Sequence, residues 1–342
     1  MSDLPDLMTA AVTIGHGGPE MLEIRHDWPR PTPSSGEALV RVRAASLNNT
    51  DVWTREGAYG SGAPAGWTGK PLDFPRIQGG DVAGVVVEVG AGVDDALLGR
   101  RVVVDPATEY DDHDHPSRIV GSEVDGGFAQ FHVSPAIRLH DVTDSPLSDE
   151  QLACLPIAYA TALGMIEEAA CGPGERVLTT GASGGVGLAA IQTLAARGCD
   201  AIAYTSAGKE ASVRDAGAVG VVVRGRDALW EIEEVDAVLD MVGGHEFGEL
   251  VDRLRTGGRL VTVGAIAGPI VELDLRHIYL RHRRVLGSTM HSPSVFAAVV
   301  DMARRGAVAP VVAETYPLTD IAAAQERFAK KDFVGKLVIV PT

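Results

Sequence analysis

One glycine-rich segment constrains the fold more than any other part of the chain. It reads "RVLTTGASGGVGLAAIQTLAARG" over residues 176–198, so a short apolar run passes through glycines into a helical pattern. Ala182, Gly184 and Gly187 have the spacing of a G-x-G-x-x-G turn, with alanine in first place. Such a turn lets backbone approach a pyrophosphate, and the next helix offers free N–H groups to the anion; the alternative is a turn without ligand. The predicted cofactor contacts of this turn are Ala182, Ser183, Gly184, Gly185, Val186 and Gly187.

The residues after the second strand of this segment indicate which dinucleotide would bind. The strand "AIAYT" leads to Ser206, 19 positions after Gly187, and Lys209 follows. An NAD site has an acidic residue about 20 positions after the glycines, and its carboxylate would repel a 2′-phosphate. A hydroxyl and an ammonium attract a phosphate instead, so the sequence favours NADP(H) over NAD(H). Arg224 is a candidate for a further contact to the dinucleotide. The alternative for Arg224 is an ordinary exposed arginine at a strand end, and the alternative for Lys209 is a solvated position on a helix surface.

Two patterns of secondary structure divide the chain. Up to about residue 155, short β-type runs such as "GDVAGVVVEVG" and "GGFAQFHVS" are separated by glycine and proline, which predicts a compact antiparallel β domain. From about residue 156, apolar strands alternate with helical stretches, which predicts a parallel sheet covered on both faces. The tail after about residue 290 ends in "GKLVIV". We expect this tail to complete the first domain, because chain ends commonly meet in space.

Length and charge exclude several classes of function. The 342 residues exceed the size at which one core usually stops growing, about 250 to 300 residues, so two domains are expected. The net charge of −16 would repel a phosphate backbone, and nucleic acid is not an expected partner. The sequence has no leader pattern and no apolar stretch that would span a bilayer, so we expect a cytoplasmic protein without a membrane partner. The three cysteines lack metal-type spacing and are interpreted as free thiols in the core.

Motifs along the whole chain resemble those of the medium-chain dehydrogenase/reductase superfamily. They include "SLNNTDVW", "GGDVAGVVVEVG", "DGGFAQF", "GASGGVGLAAIQ", "DMVGG" and the closing "VGKLVIV". The resemblance implies an α/β architecture: a GroES-like β domain from residues 1–155 and 291–342, and a Rossmann doubly wound parallel sheet domain at 156–290. It also implies an active site in the cleft between the domains, a small-molecule substrate and a homodimer formed through the Rossmann domains.

Many members of this superfamily are zinc alcohol dehydrogenases, and this sequence departs from them at the metal ligands. Where they carry a cysteine after "AASL", this chain has Asn48; Gly80 stands in place of the histidine, and Ile157 lies near the later cysteine. A catalytic zinc needs three protein ligands from Cys, His and carboxylate, and only Asp81 remains. The four-cysteine structural zinc lobe is absent too, so the sequence predicts no metal. The loop "EYDDHDHPSR" at 109–118 offers imidazole and carboxylate groups as an alternative ion site, but consecutive residues seldom converge on one ion.

A neutral amide at this place suits the reduction of an activated double bond. Without a Lewis acid a simple alcohol is hard to oxidise, whereas hydride addition to an enone or a quinone puts charge on an oxygen that hydrogen-bond donors stabilise. The zinc-free quinone oxidoreductase group of the superfamily has Asn in the same "SLN..D" setting. By that resemblance Asn48 lines the substrate cleft and Asp51 supports it. The alternative is that Asn48, or Asn49, caps the helical turn that follows.

Further site residues follow from the same resemblance. Tyr59 in "REGAYG" matches a position near the substrate, where a phenol would donate a proton or a hydrogen bond; an aromatic lid without a chemical role is the alternative. Thr161 in "AYATALG" matches a hydroxyl near the nicotinamide, and a helix residue bonded to its own turn is the alternative. The segment "VTVGAI" is expected to run past the nicotinamide ring, and Val242, Gly264 and Ala265 are among the implied cofactor contacts.

These residues lead to one function hypothesis and three alternatives. The leading hypothesis is an NADPH-dependent, zinc-independent reductase of a quinone or an α,β-unsaturated carbonyl. One alternative is an enoyl-thioester reductase, in which the basic run "RHIYLRHRR" at 276–284 would bind coenzyme A phosphates rather than form a solvated face. The others are a relative of zinc-type alcohol dehydrogenases with unconventional ligands and a non-catalytic NADP(H)-binding sensor.

Overall fold

A computed structural model of the chain describes residues 4–225 and 228–341. In chain order the strands are β1 (Leu7–Thr13), β2 (Leu22–Pro29), β3 (Glu37–Ser46), β4 (Arg76–Ile77), β5 (Ala83–Val89), β6 (Arg101–Val104), β7 (Ala107–Tyr110), β8 (Pro116–Ile119), β9 (Phe131–Pro135), β10 (Leu139–Asp141), β11 (Arg176–Thr179), β12 (Asp200–Thr205), β13 (Gly220–Val223), β14 (Val235–Asp240), β15 (Leu254–Thr262), β16 (Arg284–Gly287), β17 (Val312–Pro317) and β18 (Lys336–Val340). The α-helices are α1 (Asn49–Glu56), α2 (Asp149–Ala153), α3 (Ala158–Glu168), α4 (Gly185–Ala196), α5 (Glu210–Asp215), α6 (Phe247–Asp252), α7 (Arg276–Tyr279), α8 (Pro293–Arg304) and α9 (Ile321–Ala329). Within the described ranges, none of these helices has both the length and the apolar character needed to cross a bilayer.

The chain forms two compact units. The first unit runs through Ile157 and takes in Ser292–Asp332 and the chain from Lys336 onward. The second unit comprises Ala158–His291 and Phe333–Gly335. The domain boundaries predicted from the sequence lie within two residues of these divisions, except that Phe333–Gly335, assigned to the first domain from the sequence, belongs to the second unit.

Antiparallel pairing dominates the first unit. Its larger sheet has the order β10-β6-β5-β3-β18-β17, and β9 also pairs with β3. β3 therefore has neighbours along much of its length, and side chains of these strands, such as Leu39, Val86 and Val103, are buried. The predicted GroES-like β domain has this antiparallel character.

The last strand of the chain is part of this sheet. β18 pairs antiparallel with β3, and Val338 lies opposite Ser46. When this register is continued by two residues, Lys336 at the start of β18 comes opposite Asn48, just beyond the end of β3. The end of the chain is therefore built into the sheet that the first half of the chain forms.

Parallel pairing defines the second unit. Its strands follow the order β13-β12-β11-β14-β15-β16, and every neighbouring pair is parallel. Counted within the unit, this is the 3-2-1-4-5-6 order of a Rossmann sheet. The near-continuous apolar strands of the sequence are explained by burial on both faces of such a sheet. The predicted Rossmann doubly wound parallel sheet is confirmed. Its strand order reverses at β11, and ligands of such sheets bind beside the carboxyl ends of the strands at that point.

A buried arginine joins the first half of the chain to its tail within the first unit. Arg55 in α1 is 2% exposed, and its Nε donates a hydrogen bond to Gln325 Oε1 (3.1 Å) in α9. A second guanidinium nitrogen donates to the Gly17 carbonyl. Because an unpaired buried donor on a charged group is costly, the Gln325 side chain should contribute measurably to stability.

Gln325→Leu is therefore expected to destabilise the protein. The substitution leaves Arg55 Nε without its acceptor, and we expect the free energy of unfolding to fall by about 1–3 kcal/mol. Denaturant unfolding measures the change. Glu326→Gln, at an exposed position of the same helix, is the control and should stay within about 0.5 kcal/mol of the wild type. Equal stabilities of Gln325→Leu and the wild type would contradict this contribution.

Candidate active site

The amide of Asn48 lies in a buried polar cluster where β3 leads into α1. The residue is 7% exposed. Its Nδ2 donates to Asp81 Oδ2 (2.9 Å) and to the Ser46 carbonyl (3.3 Å). Its Oδ1 accepts from Lys336 Nζ (2.5 Å). A cation at one end and a carboxylate at the other fix the orientation of the amide, and both of its N–H groups have acceptors within the first unit.

Asp81 is the hub of this cluster and has no exposed surface. Its Oδ2 accepts from Lys336 Nζ (3.0 Å), and the Ser46 hydroxyl donates to the same oxygen. Its Oδ1 accepts from the Ile157 N–H (2.7 Å). Together with Asn48 these groups satisfy a carboxylate that would be very costly to bury alone, and Lys336 supplies the opposite charge. The sequence analysis missed Lys336, and the signal for it was a cation at the start of the apolar strand "KLVIV".

A second carboxylate is buried at the start of α1. Asn48 is the N-cap residue, with extended backbone (φ −130°), and Asp51 Oδ2 accepts from the Asn48 N–H (2.7 Å). Burial raises the pKa of Asp51 to about 7. The hydrogen bond from the Asn48 N–H lowers this pKa, and the negative charge of Asp81 raises it further. Asn49 is the first residue inside the helix, and its Oδ1 accepts from Lys331 Nζ (2.8 Å). The alternative that Asn49 caps the helix is therefore wrong.

The two hydroxyl side chains predicted for the site belong to different units. Tyr59 is half-buried in the first unit, donates to Thr50 Oγ1 (2.9 Å) and meets the Trp53 ring edge-on. Burial raises the pKa of Tyr59 to about 12, so its hydroxyl keeps the proton and acts as a donor at neutral pH. Thr161 is a buried residue of α3 in the second unit.

In the second unit, the glycine-rich turn joins β11 to α4. α4 begins at Gly185, with Gly184 as its N-cap residue, one position before the start that the sequence predicts. Gly181 has φ +56°, in the left-handed region that favours glycine. A Cβ on Gly187 would lie 2.3 Å from the Gly181 carbonyl oxygen and 2.6 Å from Ala182 Cα. Only glycine allows this close contact between helix and turn, which leaves the N–H groups at the helix start available to an anion.

Asp240, the last residue of β14, ties that strand to the end of β11. Its Oδ1 accepts from Thr180 Oγ1 (2.7 Å) and from the Val242 N–H (3.0 Å). Thr180 Oγ1 in turn accepts from the Met241 N–H (3.0 Å). Burial raises the pKa of Asp240. The sequence analysis missed this residue. Its signal was a carboxylate at the end of an apolar strand, because the carboxyl ends of parallel strands meet at one edge of the sheet, where ligands bind.

The other predicted contacts near the nicotinamide lie around these strand ends. Val242 Cγ2 lies 3.3 Å from the position that a Cβ on Gly181 would take. Gly264 and Ala265 follow the end of β15, and a Cβ on Gly264 would lie 2.8 Å from the Met241 carbonyl oxygen. Val242 thus lies beside Gly181 of the glycine-rich turn, and Gly264 lies beside Met241, the residue after β14.

The segment Phe333–Gly335 borders the same turn within the second unit. The Gly335 N–H donates to the Ser183 carbonyl (3.0 Å), and Lys209 Nζ donates to the Phe333 carbonyl (3.0 Å). The sequence did not predict these contacts, because they join residues more than a hundred positions apart.

Ser206 and Arg224 lie at the ends of neighbouring strands. Ser206 is exposed directly after β12, and Arg224 directly after β13. Arg224 Nε is 3.9 Å from Glu246 Oε2, and its guanidinium lies 5.8 Å from the Tyr204 ring centre. The exposed arginine is thus oriented by a carboxylate and an aromatic face rather than fully solvated.

The positions that match zinc ligands do not fit a zinc ion. Gly80 packs on Ile157: a Cβ on Gly80 would lie 2.7 Å from Ile157 Cδ1 and 3.1 Å from the Val120 carbonyl oxygen, so a side chain at this position would have to displace Ile157. Asn48 faces the Lys336 ammonium, and Asp81 is engaged by internal donors. Zinc needs deprotonated sulfur, nitrogen or oxygen ligands that converge on one point, and this donor set does not supply them.

The acidic loop at 109–118 does not assemble a metal site either. Asp111 Oδ1 accepts from the backbone N–H groups of His113 (2.8 Å) and His115 (2.9 Å), so the loop satisfies its own carboxylate. Across residues 4–225 and 228–341, no three His, Cys, Asp or Glu side chains are grouped so that they would hold a metal ion.

Known proteins resemble this chain over nearly its whole length. Residues 34–144 match the alcohol dehydrogenase GroES-like domain, and residues 185–305 match the zinc-binding dehydrogenase family. The quinone oxidoreductase of Mus musculus is 30% identical, over 94% of this chain and 93% of its own. The acryloyl-coenzyme A reductase of Metallosphaera sedula is 28% identical, over 97% of this chain and 99% of its own. A crystal structure from Sinorhizobium meliloti 1021, provisionally described as an alcohol dehydrogenase, is 43% identical with a TM-score of 0.94, over 100% of this chain and 99% of the other.

The chain combines a GroES-like domain with a Rossmann sheet. Together with these relatives, the two domains identify the protein as an oxidoreductase that uses a nicotinamide dinucleotide. The chain belongs to the medium-chain dehydrogenase/reductase superfamily. The alternative of a non-catalytic sensor is not supported, because the relatives with matching domains are oxidoreductases.

The free energy of unfolding is expected to fall as the pH rises through neutrality, because of Asp51. Its pKa in the folded chain is about 7, raised from an ordinary value of 3.8, so the folded state holds this proton more tightly than the unfolded state. The stabilisation is complete below pH 3.8 and is lost as the pH rises through 7. One pKa unit corresponds to about 1.4 kcal/mol, so the difference between 3.8 and about 7 corresponds to about 4 kcal/mol.

Asp51→Asn tests this assignment. The amide keeps an acceptor for the Asn48 N–H but does not ionise, so denaturant unfolding from about pH 5 to pH 9 should give a flatter profile than the wild type. Asp73→Asn, at an exposed position of the same unit, is the control and should keep the wild-type slope. A wild-type slope in Asp51→Asn would contradict the assignment.

Gly187→Ala is expected to weaken dinucleotide binding. Its methyl group would meet the Gly181 carbonyl oxygen at 2.3 Å, so the turn must open and its N–H groups must move. We expect the dissociation constant to rise at least about tenfold, which corresponds to about 1.4 kcal/mol. Calorimetric titration with NADPH and NADH measures it. Gly172→Ala is the control, since its Cβ would meet no atom within 4 Å; equal affinities of the two variants would refute the prediction.

Proposed function

We propose that the protein is an NADPH-dependent reductase that transfers hydride to a quinone or an α,β-unsaturated carbonyl without a metal. The observation that carries this proposal is the state of Asp81: the one carboxylate left among the zinc-ligand positions is bound by Lys336 and by internal N–H and hydroxyl donors. Zinc dehydrogenases use their metal to stabilise an alkoxide, and these residues offer no equivalent. The likeness to a quinone oxidoreductase and to an acryloyl-coenzyme A reductase supports the substrate class.

In the proposed reaction a hydride adds to the β-carbon of the substrate, or to a quinone, and negative charge develops on an oxygen. A reduced nicotinamide dinucleotide held by the glycine-rich turn would supply that hydride, and one proton from solvent or a side chain would complete the reduction. Tyr59 holds its proton at neutral pH, and its hydroxyl hydrogen would turn from Thr50 Oγ1 to the substrate oxygen and donate a hydrogen bond to it. Thr161 would provide a hydroxyl for the nicotinamide end of the site.

Asn48 has a supporting place in this scheme. The sequence analysis expected its amide to line the substrate cleft, but both Nδ2 hydrogens are engaged, by Asp81 and by the Ser46 carbonyl. We therefore assign the direct hydrogen bond to the substrate oxygen to Tyr59, because its half-buried hydroxyl has to leave only the Thr50 hydroxyl, whereas the buried amide would have to leave Asp81 or the Ser46 carbonyl. The buried amide keeps the adjoining charges in place.

We further propose that the cofactor is NADP(H). The exposed Ser206 stands directly after β12, where NAD-specific sites have a carboxylate that binds the ribose. Lys209 lies three residues on and contributes a positive charge to the same border of the second unit. Solved relatives of this chain include a complex with NADP at 27% identity and an NAD-dependent alcohol dehydrogenase at 31% identity, so the proposed preference is carried by Ser206 and Lys209.

Lys209→Glu tests the cofactor preference. A carboxylate at this position would repel the 2′-phosphate, so we expect affinity for NADPH to fall at least about tenfold, or about 1.4 kcal/mol, while affinity for NADH changes little. Arg214→Glu, an exposed charge reversal on helix α5, whose N-cap residue is Lys209, is the control for net charge. Equal losses for NADPH and NADH would contradict recognition of the 2′-phosphate.

A substrate panel tests the proposed reaction itself. The wild type, treated with a chelator and checked for metal content, should oxidise NADPH when a quinone, an enone or an enoyl thioester is added. Loss of activity with removal of stoichiometric zinc, or oxidation of simple alcohols alone, would overturn the proposal in favour of a zinc-type alcohol dehydrogenase relative.

An enoyl-thioester reductase is the second candidate. An acryloyl-coenzyme A reductase and a structure of a reductase with NADP and 2-octenoyl-CoA are similar to this chain over nearly its whole length. The basic run at 276–284 does not favour coenzyme A recognition, because three of its four arginines pair with carboxylates of the second unit. These pairs are Arg276–Asp274, Arg281–Glu234 and Arg283–Asp252. Tighter binding of enoyl thioesters than of the matching free enones would favour this candidate.

A further inference from the structure

Tyr59, the proposed hydrogen-bond donor to the substrate oxygen, lies in the irregular connection between α1 and β4. We call residues 57–70 of this connection the Tyr59 loop. The Ala65 N–H donates to the Gly57 carbonyl (3.1 Å), and Ala58 and Ala65 form an isolated β-bridge, so the base of the loop is closed on itself. Loops are more mobile than the elements they connect. The position of the phenol therefore also depends on what holds the second half of this loop.

A single carboxylate holds the second half of the Tyr59 loop. Glu123 Oε1 accepts from the Thr68 N–H (3.1 Å) and from the Thr68 hydroxyl (2.9 Å). The Ser122 hydroxyl donates to the same oxygen (3.1 Å) and accepts from the Trp67 N–H (3.0 Å). Two consecutive residues of the loop are thus bound through Glu123 and its neighbour in the chain.

Glu123 is itself fixed by the turn at 119–124 that carries it. Its Oε2 accepts from the Ile119 N–H (3.1 Å). Gly121 has φ +82°, and a Cβ there would lie 2.8 Å from the Gly79 nitrogen, so the turn packs closely on the backbone two residues before Asp81. The carboxylate therefore connects the Tyr59 loop to the backbone beside the buried polar cluster.

The donors around Glu123 suit a carboxylate better than an amide. Two backbone N–H groups and two hydroxyl groups donate to it. A carboxylate accepts all four bonds, because both of its oxygens are acceptors. A glutamine in its place would turn an NH₂ group toward one of these donors.

Glu123 also acts on Tyr59 through its charge. Burial is the main cause that raises the pKa of Tyr59, and the charges of Asp51 and Glu123 raise it further. The carboxylate thus lies within electrostatic range of the phenol whose loop it holds. To reach a substrate oxygen, the hydroxyl has only to turn away from Thr50 Oγ1, provided that the ring keeps its place.

We propose that Glu123 is a positioning residue for Tyr59: its carboxylate holds the Tyr59 loop on the turn at 119–124 and so fixes the phenol for its hydrogen bond to the substrate oxygen. The inference rests on the proposed reductase function. A donor stabilises developing charge best when its position is fixed in advance, and small displacements are costly. A purely structural anchor is the competing explanation, and its effect would not depend on the Tyr59 hydroxyl.

A double-mutant cycle of Glu123→Ala and Tyr59→Phe separates the two explanations. Each single substitution should lower kcat at least about tenfold, because the donor is either misplaced or lost. In the Tyr59→Phe background, Glu123→Ala should lower kcat by less than about twofold, since the hydroxyl that it positions is gone. A structural anchor predicts the same loss in both backgrounds. KM for NADPH should change less than about threefold in all variants, because the glycine-rich turn is untouched.

Two milder variants and a control accompany this cycle. Glu123→Gln keeps one acceptor oxygen and should retain more kcat than Glu123→Ala. Thr68→Val removes only the hydroxyl donor and preserves volume, so it tests the same contact even if Glu123→Ala does not fold; we expect kcat to fall about two- to fivefold, again only when the Tyr59 hydroxyl is present. Glu109→Gln, at an exposed carboxylate of the same unit, is the control and should keep the wild-type kcat.

Hydrogen exchange gives a readout that does not depend on activity. The Trp67 and Thr68 amides donate to Ser122 Oγ and to Glu123 Oε1. In folded Glu123→Ala, both amides should exchange at least about tenfold faster than in the wild type, while amides of β5 keep their rates. Glu109→Gln should leave the exchange of the loop unchanged.

The outcomes distinguish this inference from the proposed function. If the wild type reduces no quinone, enone or enoyl thioester, the proposed function fails and the kinetic role of Glu123 with it, whereas hydrogen exchange still shows whether Glu123 anchors the loop. A wild-type kcat in Tyr59→Phe would overturn the inference while the reductase function stands. Equal losses of kcat with and without the Tyr59 hydroxyl, or wild-type exchange of the Trp67 and Thr68 amides in folded Glu123→Ala, would overturn it as well.

Discussion

The antiparallel pairing of β18 with β3 is the interaction on which the first unit and its polar cluster depend. A hydrogen-bonded ladder fixes register to one residue, because a slip by one would turn every side chain to the opposite face. With Val338 opposite Ser46, Lys336 comes opposite Asn48 and within hydrogen-bond distance of Asp81. The last segment of the chain therefore completes a charge balance with Asp81, 255 residues earlier.

The second unit depends on a comparable tie between strand ends. Asp240 joins β14 to β11 through Thr180 and also accepts from the backbone N–H groups that follow β14. This arrangement holds the edge of the sheet where the strand order reverses, and Gly187 lets α4 close on the turn. The first unit thus assembles a balanced set of buried charges, and the second assembles a glycine-rich turn held by hydrogen bonds at the start of α4. Both are polar structures that hydrogen bonds make tolerable in the interior.

Particular residues show why sequence reasoning succeeded for the second unit and went less far in the first. The Rossmann turn is local: Ala182, Gly184 and Gly187 lie within one strand–turn–helix, so spacing alone carries the information. The cluster around Asn48 is not local, since Asp81 and Lys336 reach it from distant strands. The sequence pointed to Asn48 as a hydrogen-bond donor for substrate, and the structure shows its donors already engaged. The cofactor preference and the roles of Tyr59 and Thr161 stay predictions.

The sequence by itself determined the Rossmann doubly wound sheet, the GroES-like β domain and the loss of zinc ligands at Asn48, Gly80 and Ile157, because repeating patterns and residue types carry that information directly. Tertiary structure alone decided what took the place of those ligands. Burial made an unpaired Asp81 too costly, and only strand pairing between the two ends of the first unit could deliver the Lys336 ammonium that balances it.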